Sequence, residues 1–480
     1  MEASLNSFDW STVKMEAILA VFAAITLICS SSLSSKWNRL VSIVAFVGMY
    51  ASIIVNFVFP NQDTFLLNNN SAFACIMVIC ALLTSQMSIH FFDKLGREDL
   101  KNDYIAVVMI CAAALSLFVR SNNLMLSFVA LETATICLYI MVAFNRSNSA
   151  SLEAGIKYLI AGGVSGAVLL MGIVFIYGAG CASGVDFLYF DNFSVGLMDK
   201  LFNIGLVLVL AGVFFKMAAF PFQFWAPSVY QGAPTPTTSF LAVASKAAGV
   251  VFLAKICTSL RFDSVELLAA KEHILVAVSV VAASTILVGN LGGITQLRTK
   301  SLLAFSGISN AGYLLVLIAA VLREPKILDS FDPVLYFYLG AYMLANYALF
   351  FGINQFTSTD ESAQSLLDYR GLINRNPITS SALIVSLSSL AGIPPTAGFF
   401  GKVLVLILAW YAQLYWLMGV MIFGSVVSIY YYFAWIRAIL EKSEGDEVEF
   451  KPSPAATQTI VMLSVAVVFV SLVVFSFVGV

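Results

Sequence analysis

Gly212-Val213-Phe214-Phe215-Lys216-Met217-Ala218-Ala219-Phe220-Pro221 reads as a membrane-crossing helix that carries one charge and is then broken. The apolar run extends on both sides, over residues 201–231, further than the roughly twenty residues one straight span needs. Pro221 and Pro227 remove backbone donors inside it, so the helix is interrupted within the membrane. A lysine at that depth costs about 2.5 kcal/mol or more on insertion scales, and chains retain one where it faces a polar or water-filled interior. A simple anchor needs neither the charge nor the break, so this stretch points to ion or proton translocation.

The rest of the chain has the same character. Hydrophobic residues make up 60% of it and charged residues 11%, against about a quarter charged in soluble domains. Apolar segments of helix-spanning length recur throughout, which excludes the short alternating strands of a membrane β-barrel. The expected fold is all-α and polytopic, with about fourteen transmembrane helices. A second overlong span, 378–410, contains Ala391-Gly392-Ile393-Pro394-Pro395 and is also read as broken. Spans four to eight (103–260) and nine to thirteen (261–440) form two five-helix blocks that enter the membrane from opposite sides. They are therefore inverted repeats, each with its broken helix in fourth place, an arrangement that marks a transport site. Residues 1–102 add three helices before them and 441–480 one after.

Lysine and arginine are more numerous between spans on one side, in a tally that counts Arg120 and Lys255 as outer-loop residues and Lys300 as an inner one. The positive-inside rule makes the richer side cytoplasmic and puts both termini outside. The N-terminus lacks the basic region of a cleaved signal, so the first span is expected to remain as a helix. A net charge of −2 implies no nucleic-acid partner. The seven cysteines (Cys29, Cys75, Cys80, Cys111, Cys137, Cys181 and Cys257) show no CxxC spacing, so neither a metal site nor a disulfide framework is expected.

Three further ionisable residues share the depth of Lys216. Glu132, in Ala130-Leu131-Glu132-Thr133-Ala134, lies about ten residues into its span, hence about 15 Å deep, and is the counter-charge expected to tune Lys216. Lys246 is flanked by Ala242-Val243-Ala244-Ser245 and Ala247-Ala248-Gly249, small residues that leave room for water. Lys402 follows the second break, where it serves either as the exit-side counterpart of Lys216 or as a cap for carbonyls freed at Pro394-Pro395. Static helix-locking roles are the alternative for all four. Glu153 and Lys157 are spaced i,i+4, as a surface ion pair or as support for the Glu132 region. His90 and His273 read as interface residues near helix ends, and Tyr430, Tyr431 and Tyr432 as interfacial aromatics.

Phe215-Lys216-Met217-Ala218-Ala219-Phe220-Pro221-Phe222-Gln223-Phe224-Trp225-Ala226-Pro227-Ser228-Val229-Tyr230-Gln231-Gly232-Ala233-Pro234-Thr235-Pro236 resembles the antiporter-like membrane subunits of respiratory complex I (NADH:quinone oxidoreductase), most closely the subunit N family. Leu152-Glu153-Ala154-Gly155-Ile156-Lys157-Tyr158, Asp368-Tyr369-Arg370-Gly371-Leu372 and Ser389-Leu390-Ala391-Gly392-Ile393-Pro394-Pro395-Thr396-Ala397-Gly398-Phe399-Phe400-Gly401-Lys402 support it. The resemblance covers the whole fourteen-helix body and implies a proton-pumping subunit in a bacterial inner membrane rather than an organellar one. The family's buried glutamate falls on Glu132 and its lysines on Lys216, Lys246 and Lys402. It implies no cofactor in this chain, with NADH, FMN, iron–sulfur clusters and quinone held by partner subunits. The implied partners are other antiporter-like and small helical membrane-arm subunits, together with the lipid bilayer. The family usually has aspartate after Trp-x-Pro and often histidine after Pro-Phe, where this chain has Ser228 and Gln223; the departure touches a local helix cap or water contact, not the charge set. A subunit of a Na+/H+ antiporter without redox coupling is the alternative reading.

The topology has a direct check. Cysteines introduced at Asn69 and Asp191 are expected to react with a membrane-impermeant thiol reagent in intact cells, and one at Ser362 is not. Labelling at Ser362 but not at Asp191 would invert the assignment.

Overall fold

The computed structural model describes residues 13–32, 37–58, 70–121, 123–179, 197–259, 265–356, 363–442, 450 and 452–478. Asn69, Asp191, Ser362 and Cys181 lie outside the described residues. The described chain is a succession of α-helices: α1 (Lys14–Ser32), α2 (Asn38–Val58), α3 (Asn70–Lys94), α4 (Lys101–Arg120), α5 (Leu124–Val142), α6 (Ser149–Gly178), α7 (Leu197–Met217), α8 (Trp225–Gly232) and α9 (Thr235–Phe240). After a π-helical turn at Leu241–Ser245 come α10 (Lys246–Ser259), α11 (Val265–Ile294), α12 (Thr299–Arg323), α13 (Leu328–Ile353), α14 (Leu372–Arg375), α15 (Pro377–Ala391), α16 (Ala397–Tyr411), α17 (Tyr415–Leu440) and α18 (Pro454–Val478).

Among the described residues, thirteen helical segments are long and apolar enough to cross a membrane. The shorter α15 and α16 together make up the second overlong span, which completes the expected fourteen. Both breaks fall where the prolines put them. Helix α7 ends at Met217, followed by Ala218 at φ +56, a left-handed backbone that a residue with a Cβ rarely adopts. Helix α15 ends on Gly392 at φ +81, whose N–H bonds to Ser388 and Ser389 carbonyls before Pro394 and Pro395 stop further winding.

The chain packs as two compact units. The first comprises residues 1–141, 156–217 and 244–273. In it α1 packs on α2 and α4, α3 on α4, and α10 on both α4 and α7. Helices α6 and α7 approach through glycines: a Cβ at Gly172 would stand 2.7 Å from Gly205 O and Val209 N, and one at Gly212 2.7 Å from Leu169 Cβ. Small residues let transmembrane backbones approach closely, which compensates for the missing hydrophobic drive in lipid. The second unit comprises 142–155, 218–243 and 274–480. Its centre is α13, which packs on α9, α15, α16 and α18, with α12 against α8 and α16.

Several charges counted above as loop residues are bonded to helices instead, and Lys255 and Lys300 are buried. Arg120 Nη1 donates to Glu16 Oε1 at 2.9 Å, and Ser116 Oγ donates to the same oxygen at 2.6 Å, clamping α1 to α4. Lys255 is 7% exposed, and its Nζ donates to Val119 O at 3.0 Å and Ser121 O at 2.6 Å, the open carbonyl end of α4. Lys300 is 2% exposed and donates to Ala233 O at 2.9 Å, just past the end of α8. The last carbonyls of a helix have no partner within it and attract cations. Lys255 and Lys300 satisfy that demand inside the protein.

Gly172→Ala is expected to push α6 off α7, because the colliding atoms are main chain and cannot turn aside, at a cost of about 1–3 kcal/mol. Gly163→Ala, whose Cβ meets nothing within 4 Å, is the neutral comparison. Thermal unfolding of the detergent-extracted protein checks this, and equal midpoints for the two variants would refute the close packing.

Candidate functional site

In the first unit, Lys216 occupies the last turn of α7 and is 5% exposed. Its Nζ donates to Thr135 Oγ1 at 2.9 Å. Thr135 in turn donates its hydroxyl proton to Leu131 O at 2.7 Å, so the oxygen that faces the lysine is an acceptor. Glu132 stands one turn earlier on α5 and is half-buried. Lys216 bonds to the threonine and not to this carboxylate, and the two opposite charges act on each other across a gap.

The Glu132 carboxylate rests against Gly166 of α6, where an added Cβ would come within 2.6 Å of Oε1. Tyr139, two turns along the same face of α5, places its hydroxyl against Gly162. Glycines at 162 and 166 are one α6 turn apart, so they line up under the polar face of α5. Cys111 of α4 closes the back of the site, its thiol donating to Ala134 O at 3.4 Å.

Lys246 begins α10 directly after the π-helical turn and is 4% exposed. One turn on, Gly249 faces Met217 and Lys216, with a built Cβ 2.9 Å from Met217 Cγ and 3.8 Å from Lys216 Cβ. The helices bearing Lys216 and Lys246 therefore meet, and Glu132, Lys216 and Lys246 share one unit.

Lys402 belongs to the second unit. It is 6% exposed, and its Nζ donates to Leu390 O at 2.9 Å and Ala391 O at 3.1 Å, the last carbonyls of α15. The capping geometry considered from the sequence is thus present. The same ammonium lies 5.2 Å from the centre of the Tyr313 ring, within cation–π range. From Tyr313 a chain of buried polar groups continues: Asn290 Nδ2 donates to Tyr313 Oη at 3.2 Å, and Tyr431 Oη donates to Asn290 Oδ1 at 3.2 Å. Tyr432 shares a short hydrogen bond with Ser306, and Tyr338 Oη donates to Asn310 Oδ1 at 2.7 Å.

This overturns one reading of the sequence. Tyr430 is 66% exposed, as an interfacial aromatic should be, but Tyr431 and Tyr432 are 2% and 0% exposed and belong to the polar chain. Three consecutive tyrosines on a helix point 100° apart, so they cannot share one environment. Sequence reasoning followed charge and missed these neutral groups; Asn310 and Tyr313 in mid-span, with Asn290 near the end of its own span, were the available signal. Glu153 and Lys157 lie on the exposed face of α6. Ser228 bonds within its own helix, donating to Trp225 O at 3.0 Å.

Residues 121–428 match the family described as NADH:quinone oxidoreductase/Mrp antiporter, transmembrane. NADH-quinone oxidoreductase subunit N 1 of Opitutus terrae is 38% identical over 476 residues, covering 95% of this chain and 92% of the relative. Subunit N of Dehalococcoides mccartyi is 32% identical, covering 90% of each. Among solved structures, a chain of respiratory complex I from Thermus thermophilus superposes with a TM-score of 0.77 at 28% identity, over 96% of this chain and 97% of that one. The Mrp complex of Dietzia sp. shares the fold, with a TM-score of 0.76 at 18% identity over 97% and 96%. Near-complete coverage of both chains, with the buried lysines at the two helix breaks inside the matched region, leaves one conclusion: the chain belongs to the NADH:quinone oxidoreductase/Mrp antiporter membrane family, and within it to the subunit N family of NADH-quinone oxidoreductase.

Proposed function

We propose that this chain relays protons across the membrane arm of NADH:quinone oxidoreductase through Glu132, Lys216, Lys246 and Lys402, with Glu153 and Lys157 in support, coupled to quinone reduction in neighbouring subunits. One observation carries the reading: each of the three lysines named here, unlike the buried Lys255 and Lys300, sits where regular helical hydrogen bonding is interrupted within a span. Lys216 is the penultimate residue of α7, Lys246 follows the π-helical turn, and Lys402 is in the second turn of α16, bonded back across the break. Interruptions supply acceptors that an intact helix keeps for itself, and π turns recur at functional sites.

The acceptors are also neutral. An ammonium has three N–H donors and an amine has two, so the pair of carbonyls on Lys402 and the hydroxyl on Lys216 stay bonded in either protonation state. A lysine locked on a carboxylate would be held charged. This favours reversible protonation over a static ion pair.

In this reading the chain performs no covalent chemistry. NADH, FMN, iron–sulfur clusters and quinone belong to partner subunits, and other antiporter-like and small helical subunits flank it in a bacterial inner membrane with both termini on the outer face. Blocks 103–260 and 261–440 are the functional halves, with 1–102 and 441–480 at either end. An antiporter without redox coupling would use the same fold; the subunit N relationship over nearly the whole chain favours the redox-coupled complex.

Lys216→Ala is expected to lower proton pumping and coupled quinone reductase activity together, by about tenfold or more, with the complex assembled. Wild-type pumping per electron in mutant vesicles would sink the assignment. Glu132→Gln is expected to impair turnover while Glu132→Asp retains more of it, because only the carboxylate supplies the counter-charge. An amide variant that pumps normally would make Glu132 a packing residue.

A further inference from the structure

A small space beside Lys402 has a chemistry of its own. Its volume is about 10 Å³, room for the centre of a single water, and Lys402, Tyr342, Tyr338, Asn310 and Ser389 line it. Tyr342 is 7% exposed, lies mid-span on α13, and its hydroxyl has no hydrogen-bond partner. A buried hydroxyl left alone is unfavourable by roughly 1–3 kcal/mol, so such groups are bonded to protein or to ordered water. The other polar groups are already engaged: Tyr338 donates to Asn310, and Ser389 Oγ accepts from Gly398 N at 3.1 Å. Two donors of Lys402 are directed at Leu390 O and Ala391 O, which leaves one further position on Nζ.

We propose that this cavity binds one water between Lys402 and Tyr342, and that Tyr342 is a positioning residue for proton transfer to and from Lys402. The proposal rests on the reading of Lys402 as a relay lysine. With Lys402 neutral, both remaining N–H donors stay on the α15 carbonyls and the lone pair takes the third position, toward the water. A protonated water in the cavity transfers one proton: its O–H breaks, the N–H forms, and a neutral water remains on the Tyr342 hydroxyl. Release is the reverse, the ammonium N–H breaking as the water oxygen accepts the proton. Tyr342 stays neutral throughout and fixes where the water oxygen sits. Without the hydroxyl, the water loses one of the few polar contacts that hold it.

The test uses the assembled complex in inverted membrane vesicles, with protons pumped per electron as the readout. Tyr342→Phe removes one oxygen without changing the ring, and is expected to lower pumping per electron severalfold while assembly stays normal. Tyr336→Phe, on the same helix outside the cavity, is expected to leave it unchanged. Lys402→Ala separates the two levels of argument. If it pumps normally, the relay reading of Lys402 fails; if it fails to pump while Tyr342→Phe matches wild type, only the positioning role is overturned. A second measurement does not depend on activity: a map of the complex at water resolution is expected to show one water within hydrogen-bond distance of both Lys402 Nζ and Tyr342 Oη, absent in Tyr342→Phe. A wild-type map without that water would also overturn the proposal.

Discussion

A lysine inside a membrane protein must find hydrogen-bond acceptors, and an intact α-helix offers almost none. Its carbonyls are committed to its own N–H groups except in the last turn. The architecture answers this demand repeatedly. Lys402 takes the open end of α15, Lys255 the open end of α4 and Lys300 the carbonyl just beyond α8. Lys216 takes a threonine hydroxyl whose own proton is already bonded to its helix. The broken helix α15 thus ends in the protein interior with a buried cation on its loose carbonyls.

The two kinds of lysine differ in what surrounds them. Lys255 and Lys300 lie near helix ends, and their bonds tie one helix terminus to another element. Lys216, Lys246 and Lys402 lie at interruptions within spans, next to other polar groups: Thr135 and Glu132 for the first, a π-helical turn for the second, and a tyrosine–asparagine chain for the third. Glycines make this possible in the first unit. Gly162 and Gly166 leave α6 flat where α5 presents Tyr139 and Glu132, and Gly249 brings α10 against Lys216. A Cβ at Gly166 would press on the far end of a flexible side chain, so that position governs where the carboxylate sits more than how tightly the helices pack.

Much of this was legible in the sequence because membranes restrict the options. Hydrocarbon length sets the spacing of spans, and a proline in an apolar run breaks a helix wherever it occurs. The breaks after Met217 and Ala391 followed from Pro221, Pro394 and Pro395 alone. The mid-span lysines were conspicuous for the same reason, since each is costly and must have a use. The neutral polar residues were not. Asn290 and Tyr431 have nothing in the one-dimensional pattern that links them, being separated by most of the second unit.

The sequence by itself determined the class of protein, the number of spans, the two interruptions and the four ionisable residues at depth, because each follows from local hydropathy and local backbone chemistry. Tertiary structure decided the partners. It gave Lys216 to Thr135, paired Arg120 with Glu16, moved Lys255 and Lys300 from loops into the interior, and separated Tyr430 from Tyr431 and Tyr432. Partner choice depends on which helix faces meet, and a face is set by packing between segments far apart in the chain, information that periodicity within one helix does not contain.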